Sequence, residues 1–419
     1  MHQHNDRKAG AAPGLITAAL LLVGLAGSAL AQEQLQALGA SDFAAAELVR
    51  LPAEKGLMPG VSRDAVDFSY ALDSSYAHNG ELSLGAAPSA FEAQSREYFV
   101  DVDAAALAEG VTIYTTAPGA LVRIHPRSDN KASTTVDPAG LTVSLGGVTY
   151  GASEGFDRLV SVEQLKATGV PFAEGTAAFR LSPAVGPGAI TLSAPAFKSQ
   201  GVYTVHVFDQ ASSIALKLGA ERGDYLHGDS LRVEASFGGA SVALGEVEGF
   251  VTSPGGRAWP LALTVDRDRV RGTLALDAAV SPGQGLWEVH LAVRGASGGL
   301  DVVRSVRTAF AAHLPTAKLS GEVERLRGAG LALSFGVDVG TPGRYEVRGV
   351  LYGTDAAGDL APMALGHAAD WLDASGDLVL RFPVTKGFRA PFEVRDLRLL
   401  DQGRMGVLHR QAVALRIGR

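Results

Sequence analysis

The stretch GLWEVHLAV, residues 285–293, sets a histidine inside a run of large apolar side chains, and its reading decides the fold. Side chains of a β-strand alternate faces with period two. Trp287, Val289, Leu291 and Val293 then share one face, while Glu288, His290 and Ala292 share the other. Two further stretches follow the same plan, GVYTVHVF (residues 201–208) and GRYEVRGV (residues 343–350). Tyr203, Val205 and Val207 form the apolar face of the first, with Thr204 and His206 opposite; Tyr345, Val347 and Leu351 form that of the second, with Glu346 and Arg348 pointing out. The recurring polar position holds His206, His290 and Arg348, which is the pattern of a solvated sheet surface and not of a buried catalytic base. In each copy a glycine turns the chain, an aromatic ring plugs the core and the next apolar residues line it, as in immunoglobulin-like sandwiches.

Working outward, the same alternation recurs along most of the chain. REYFVDV from Arg96 reads as a strand, Asp103 as the cap of a short helix AAALAE, and Gly110 as its stop. VTIYT and ALVRIH follow as strands around a Pro118-Gly119 turn, and LTVSL-GG-VTY as a hairpin turning at Gly146-Gly147. Ser161 and Gln164 form a capping box for a helix SVEQLKA. Further strands are expected at LRVEASF, at Trp259 to Val265, at GTLAL, and, after Pro315, at ALSFGVDV, YEVRGVLYG, DLVLRF, PFEVRDLRLL and VLHRQAVALRI.

With 419 residues, 47% hydrophobic and 19% charged, the chain is globular and long enough for several cores. The expected fold class is mainly β: three tandem antiparallel β-sandwich-like domains, the first with short helices and the last two immunoglobulin-like. The expected boundaries are 1–31 signal peptide, 32–62 linker or loose helix, 63–212 N-terminal β-rich domain, 213–312 second sandwich and 313–419 third sandwich.

The expected export signal rests on Arg7 and Lys8, the apolar run Leu15 to Ala26, and the small-x-small site Ser28-Ala29-Leu30-Ala31. Cleavage after Ala31 removes Asp6, Arg7 and Lys8 and moves the formal charge from -7 to -8. The location expected is periplasmic or secreted, with no transmembrane segment in the mature chain. The absence of cysteine excludes disulfides, thiolate metal sites and an acylated N-terminal cysteine. An acidic chain with scattered arginines argues against nucleic acid as partner.

Catalytic signals are sparse. GxSxG occurs at Gly151–Gly155 and Gly295–Gly299, but a nucleophile elbow needs a strand, a sharp turn and a helix within a βαβ frame. The ten histidines include no HExxH, and there is no P-loop or Rossmann fingerprint. Calcium is the one cofactor with candidate ligands, Asp355 and Asp359 in DAAGD and Asp373 and Asp377 in DASGD, if both loops lie at one end of a sandwich. Asp and Gly are equally the residues of ordinary hairpin turns.

SREYFVDV, EGVTIYTTAPGALVRIHP, GVYTVHVFD and GDYLHGDSLRVEA together resemble an exported bacterial family of unknown function, DUF4785. The resemblance implies an N-terminal β-rich domain followed by two immunoglobulin-like domains, and brings no catalytic residues. The leading expectation is a non-enzymatic binding or scaffolding protein whose partner is a protein or cell-envelope ligand, held by sandwich-end loops or an interdomain groove. The alternatives are a hydrolase drawing on Asp101, Asp103, His125 and Ser153 in the N-terminal domain, and an accessory or inhibitor protein for a secreted peptidase.

Overall fold

The computed structural model describes residues 32–72, 91–127, 136–160, 175–277, 285–327 and 330–418. The expected signal peptide and the helix SVEQLKA lie outside these residues. The described chain is mainly β, organised in antiparallel sheets around three apolar cores. Each core is closed by two facing sheets, as alternating apolar strands require.

The three stretches that set the expectation fall as strands in three different cores. In the Val202–Phe208 strand, Tyr203, Val205 and Val207 are buried, and in the Trp287–Ser297 strand so are Trp287, Val289, Leu291 and Val293. The Gly343–Thr354 strand buries Tyr345, Val347 and Leu351, but Arg344 and Glu346 are buried too, contrary to the expectation for Glu346. The outer face is covered there: Glu346 lies 2.8 Å from His367 and accepts from Gln402, while Arg344 donates to Gln402 and to the carbonyls of Ser62 and Asp64.

The first two sandwiches share a sheet. Their long faces join edge to edge where Ser305 of the Leu300–His313 strand pairs with Glu97 of the Glu97–Asp103 strand, giving one ten-stranded sheet. Pairing the two strands hides an open edge on each domain. The joint is fixed from beneath by Arg304, which is fully buried and donates to Asp209 at 2.8 Å, to Thr116 and Ser212, and to the carbonyl of Ile214. Asp209 also accepts from the backbone and hydroxyl of Thr116. A buried ion pair needs its remaining donors and acceptors occupied; here every nitrogen of the guanidinium is bonded, while the Oδ1 of Asp209 is buried with no partner among the described residues.

Local signals read from sequence hold in several places. The Ala104–Glu109 helix begins after Asp103 and stops at Gly110, although the Asp103 carboxylate accepts no capping bond. Gly146 and Gly147 turn their hairpin with φ of 61° and 83°, which a β-carbon would oppose. The run from Trp259 to Val265 is not one strand: Ala258–Pro260 pairs in the ten-stranded sheet and Ala262–Asp266 in the opposing five-stranded sheet. Leu261, buried between them, marks the crossing and its amide donates to Gly249.

The N-terminal assignments need correction. Residues 32–62 are not a loose helix. Gln32–Gln34 pairs with the Ala317–Leu326 strand and Phe43–Ala44 with Gly406–Ile417, both on the third sandwich. Val66–Ala71, expected in the N-terminal domain, pairs with Leu360–Leu372, again on the third sandwich. Glu92–Ser95 pairs with Ala215–Ala220 on the second. The chain therefore lays a strap over the third and second sandwiches before it enters the first at Glu97. Strands this short carry no legible periodicity; their register is imposed by neighbours and by Arg404, which donates to the carbonyls of Ala53 and Lys55.

Candidate functional site

The ten-stranded sheet turns one face to the cores and the other outward. A single row of cross-strand partners crosses that outer face, from Arg158 and Arg180 through Phe208, Glu97 and Ser305 to Glu248. It passes from the first sandwich to the second without a break.

Two aromatic pairs flank the row. Phe99 lies directly opposite His206, with ring centroids 4.3 Å apart and planes 11° from parallel. Phe250 lies directly opposite His290, at 4.6 Å and 10°. Both phenylalanines are exposed, at 47% and 43%, because they occupy the outward phase of their strands. Each histidine covers one side of its partner ring, and Pro260 lies opposite Phe250 on the strand at its other side.

Between these pairs, over the domain seam, lies a groove of about 830 Å³ bordered by Glu97, Phe99, Arg123, Phe250, His290 and Arg307. Arg123 also borders an adjoining hollow of about 380 Å³ over the first sandwich, with Arg158, Arg180, His206 and Phe208. The two hollows share Arg123 as a lining residue.

Charges on this surface are set by local partners. Glu97 lies 2.7 Å from His206, and that hydrogen bond, opposed by burial, holds its carboxyl below the usual range. Burial pushes the His290 imidazole down, against the pull of Glu288. Burial also lowers His125, helped by Arg123. The Nε of Arg123 and the Nδ1 of His125 are buried without a hydrogen-bond partner among the described residues.

The hydrolase candidates do not assemble. Asp101 and His125 flank Thr204 on neighbouring strands, and Asp101 accepts from Thr204 at 2.6 Å and from Arg127 at 3.1 Å. Asp103 is one pleat further along the same strand. Ser153 sits apart, in the one-turn Ala152–Gly155 helix that packs on the strands around it, and bonds no described histidine or carboxylate. The GxSxG segment leads directly into the Phe156–Val160 strand, so it is a turn between strands and not an elbow. Gly295–Gly299 closes the hairpin between Trp287–Ser297 and Leu300–His313.

The calcium candidates are likewise separated. Asp355 accepts from the amides of Ala357, Gly358 and Asp359, closing its own turn. Asp373 accepts from the Trp371 indole at 2.8 Å, and Asp377 lies in the Gly376–Phe382 strand. The two loops stand at opposite ends of the 13-residue Leu360–Leu372 strand, on the order of 40 Å apart at about 3.3 Å per residue. The four carboxylates cannot share an ion, which corrects the expectation that both loops lie at one end. Among the described residues no group of three or more His, Asp or Glu is placed to hold a metal, and no helix is long and apolar enough to cross a membrane.

Sequence reasoning missed the groove. Its one legible signal was Phe99, a large apolar residue in phase with Asp101 on the polar face of its strand. The arginines come from strands far apart in sequence, and nothing local announces their meeting.

Fused antiparallel sandwiches carrying an open groove define a multidomain β-sandwich protein with an exposed face. Residues 58–209 match the N-terminal domain, and residues 316–417 the C-terminal domain, of the DUF4785 family, a domain of unknown function. The chain belongs to that family. It is similar to the crystal structure of a DUF4785 family protein from Legionella pneumophila, with 22% identity over 90% of this chain and 99% of that one, at a TM-score of 0.70. That likeness supports the fold. No curated protein matches the chain.

Proposed function

We propose that this chain is an exported, non-catalytic binding protein acting in the cell envelope or outside the cell, and that its ligand lies along the groove over the seam of the first two sandwiches. The observation that carries the reading is the pair of exposed rings, Phe99 and Phe250, stacked on His206 and His290 on either side of the Glu97–Ser305 joint. Exposed aromatic rings beside fixed polar groups are the usual composition of recognition surfaces. The polar groups here are spread over a broad floor and do not converge on one reacting atom, which favours binding over catalysis. The N-terminal run Leu15 to Ala26 with Ser28-Ala29-Leu30-Ala31 supports export.

The test is cosedimentation of residues 32–419 with bacterial envelope preparations, and capture from culture supernatant, for wild type and the Phe99→Ala/Phe250→Ala double variant. Saturable binding that the double variant loses is the expected result. Binding that is equal in both proteins, or absent from both fractions, overturns the proposal.

A further inference from the structure

Arg158 and Arg180 are direct cross-strand partners, both exposed on the outer face, and Arg123 borders the same hollow. Like charges placed opposite one another in a sheet are unfavourable, and nothing described relieves them. None of the three forms an ion pair with a described carboxylate. Arg180 donates only to the Gly119 carbonyl, at 3.3 Å. The Nε of Arg123 is buried and unbonded. Asp157 also borders the hollow and is bonded to none of them. In a chain of net charge -7, three guanidiniums in one hollow, with no ion pair among the described residues and only Arg123 near a carboxylate, that of Glu97, attract anions. Guanidinium forks suit carboxylate, sulfate and phosphate oxygens.

The rest of the groove narrows the class. From Arg158 to Glu248 the row crosses eight strands, roughly 34 Å along the sheet at about 4.8 Å per step. That length suits an extended ligand, and the exposed Phe99 and Phe250 rings offer apolar surface along it. A peptide strand would add at a sheet edge; the Phe156–Val160 strand that carries Arg158 is such an edge, but a strand added there would run along it and not across the sheet toward Phe99 and Phe250. Resting on the binding reading above, we infer that the occupant is an acidic polysaccharide, its carboxylates received by Arg123, Arg158 and Arg180 and its sugar faces by Phe99 and Phe250.

The experiment is affinity electrophoresis of the full chain in gels holding polygalacturonate, alginate, neutral dextran or polyglutamate. Retardation by at least one uronate polymer, weakened by salt and reduced tenfold or more in Arg158→Glu/Arg180→Glu, is expected; dextran should not retard it. Both arginines are exposed, and Arg158→Gln/Arg180→Gln, with a smaller charge change, should show the same direction. No retardation by either uronate polymer, or less than a twofold change in both arginine variants, overturns the inference. Equal retardation by polyglutamate reduces it to charge alone and overturns the sugar assignment. If dextran binds, and only Phe99→Ala/Phe250→Ala abolishes this, the groove stands while the acidic ligand falls. Binding that survives both aromatic and arginine variants removes the groove as well.

Discussion

Phe250 and His290 face each other across two antiparallel strands with their rings 4.6 Å apart and within 10° of parallel. The same relation joins Phe99 to His206 in the first sandwich and Phe68 to His367 in the third. Each histidine also lies near a carboxylate: Glu288, Glu97 and Glu346 respectively. A solvent-facing phenylalanine is thus shielded on one side by a polar ring that has its own partner. In the third sandwich the histidine is not in the stretch resembling GLWEVHLAV but on the next strand, directly opposite Arg348.

Because these rings face outward, their removal should cost little. Phe250→Ala and Phe99→Ala are expected to lower stability by at most about 1.5 kcal/mol each. Trp287→Ala, in the core against Trp259 and Phe310, should cost about 3–5 kcal/mol. Urea denaturation of the three variants checks the ordering, and a surface phenylalanine as costly as Trp287 would contradict it.

The buried pair at the seam should behave differently from surface pairs. Arg304→Met leaves Asp209 charged and buried, and is expected to cost about 3–5 kcal/mol; Arg304→Met/Asp209→Leu should recover much of this. Denaturation of single and double variants reads the coupling. Equal loss in both would mean that the guanidinium acts through packing alone.

The N-terminal strap depends on Arg404, whose side chain is 7% exposed and paired with Asp401 at 2.9 Å. Arg404→Ala is expected to cost about 3–5 kcal/mol and to speed tryptic cleavage at Arg50 and Lys55. Arg416→Ala removes an exposed arginine whose partner Glu393 keeps its pair with Arg395, and should cost about 0–1 kcal/mol. Limited proteolysis with time separates the two.

Acid should weaken the fold in two stages. Burial holds His409 and His227 below the ordinary histidine value of 6.5. The unfolded chain then binds protons more readily, so stability falls as pH drops below about 6.5. Glu97, held below its ordinary 4.5 by His206, contributes stability that is present above that value and lost as pH falls through its folded pKa. Melting temperatures from pH 7.5 to 5.5 should decline, and His409→Gln should decline less than wild type. An identical decline would show that His409 is not a source of the slope.

The strands were legible wherever one face was buried and the other was not, as at Trp287 to Val293. Leu360–Leu372 was not legible, because an alanine-rich strand with little contrast between its faces has no alternation to read. The strap failed for another reason: its strands are two to six residues long and take their register from partners hundreds of residues away. The same distance hid the site. Arg123, Arg158 and Arg180 are ordinary exposed-phase residues of separate strands until those strands pair.

The strap also orders events in time. Gln36 offers its carbonyl to Gln411, made 375 residues later. Contacts this remote in sequence close slowly, and this one must wait until Gln411 has been made. The third sandwich therefore keeps a raw edge until the Gly406–Ile417 strand has been made, and a nascent chain arrested before residue 406 would carry the Phe43–Ala44 segment of its strap with nowhere to dock.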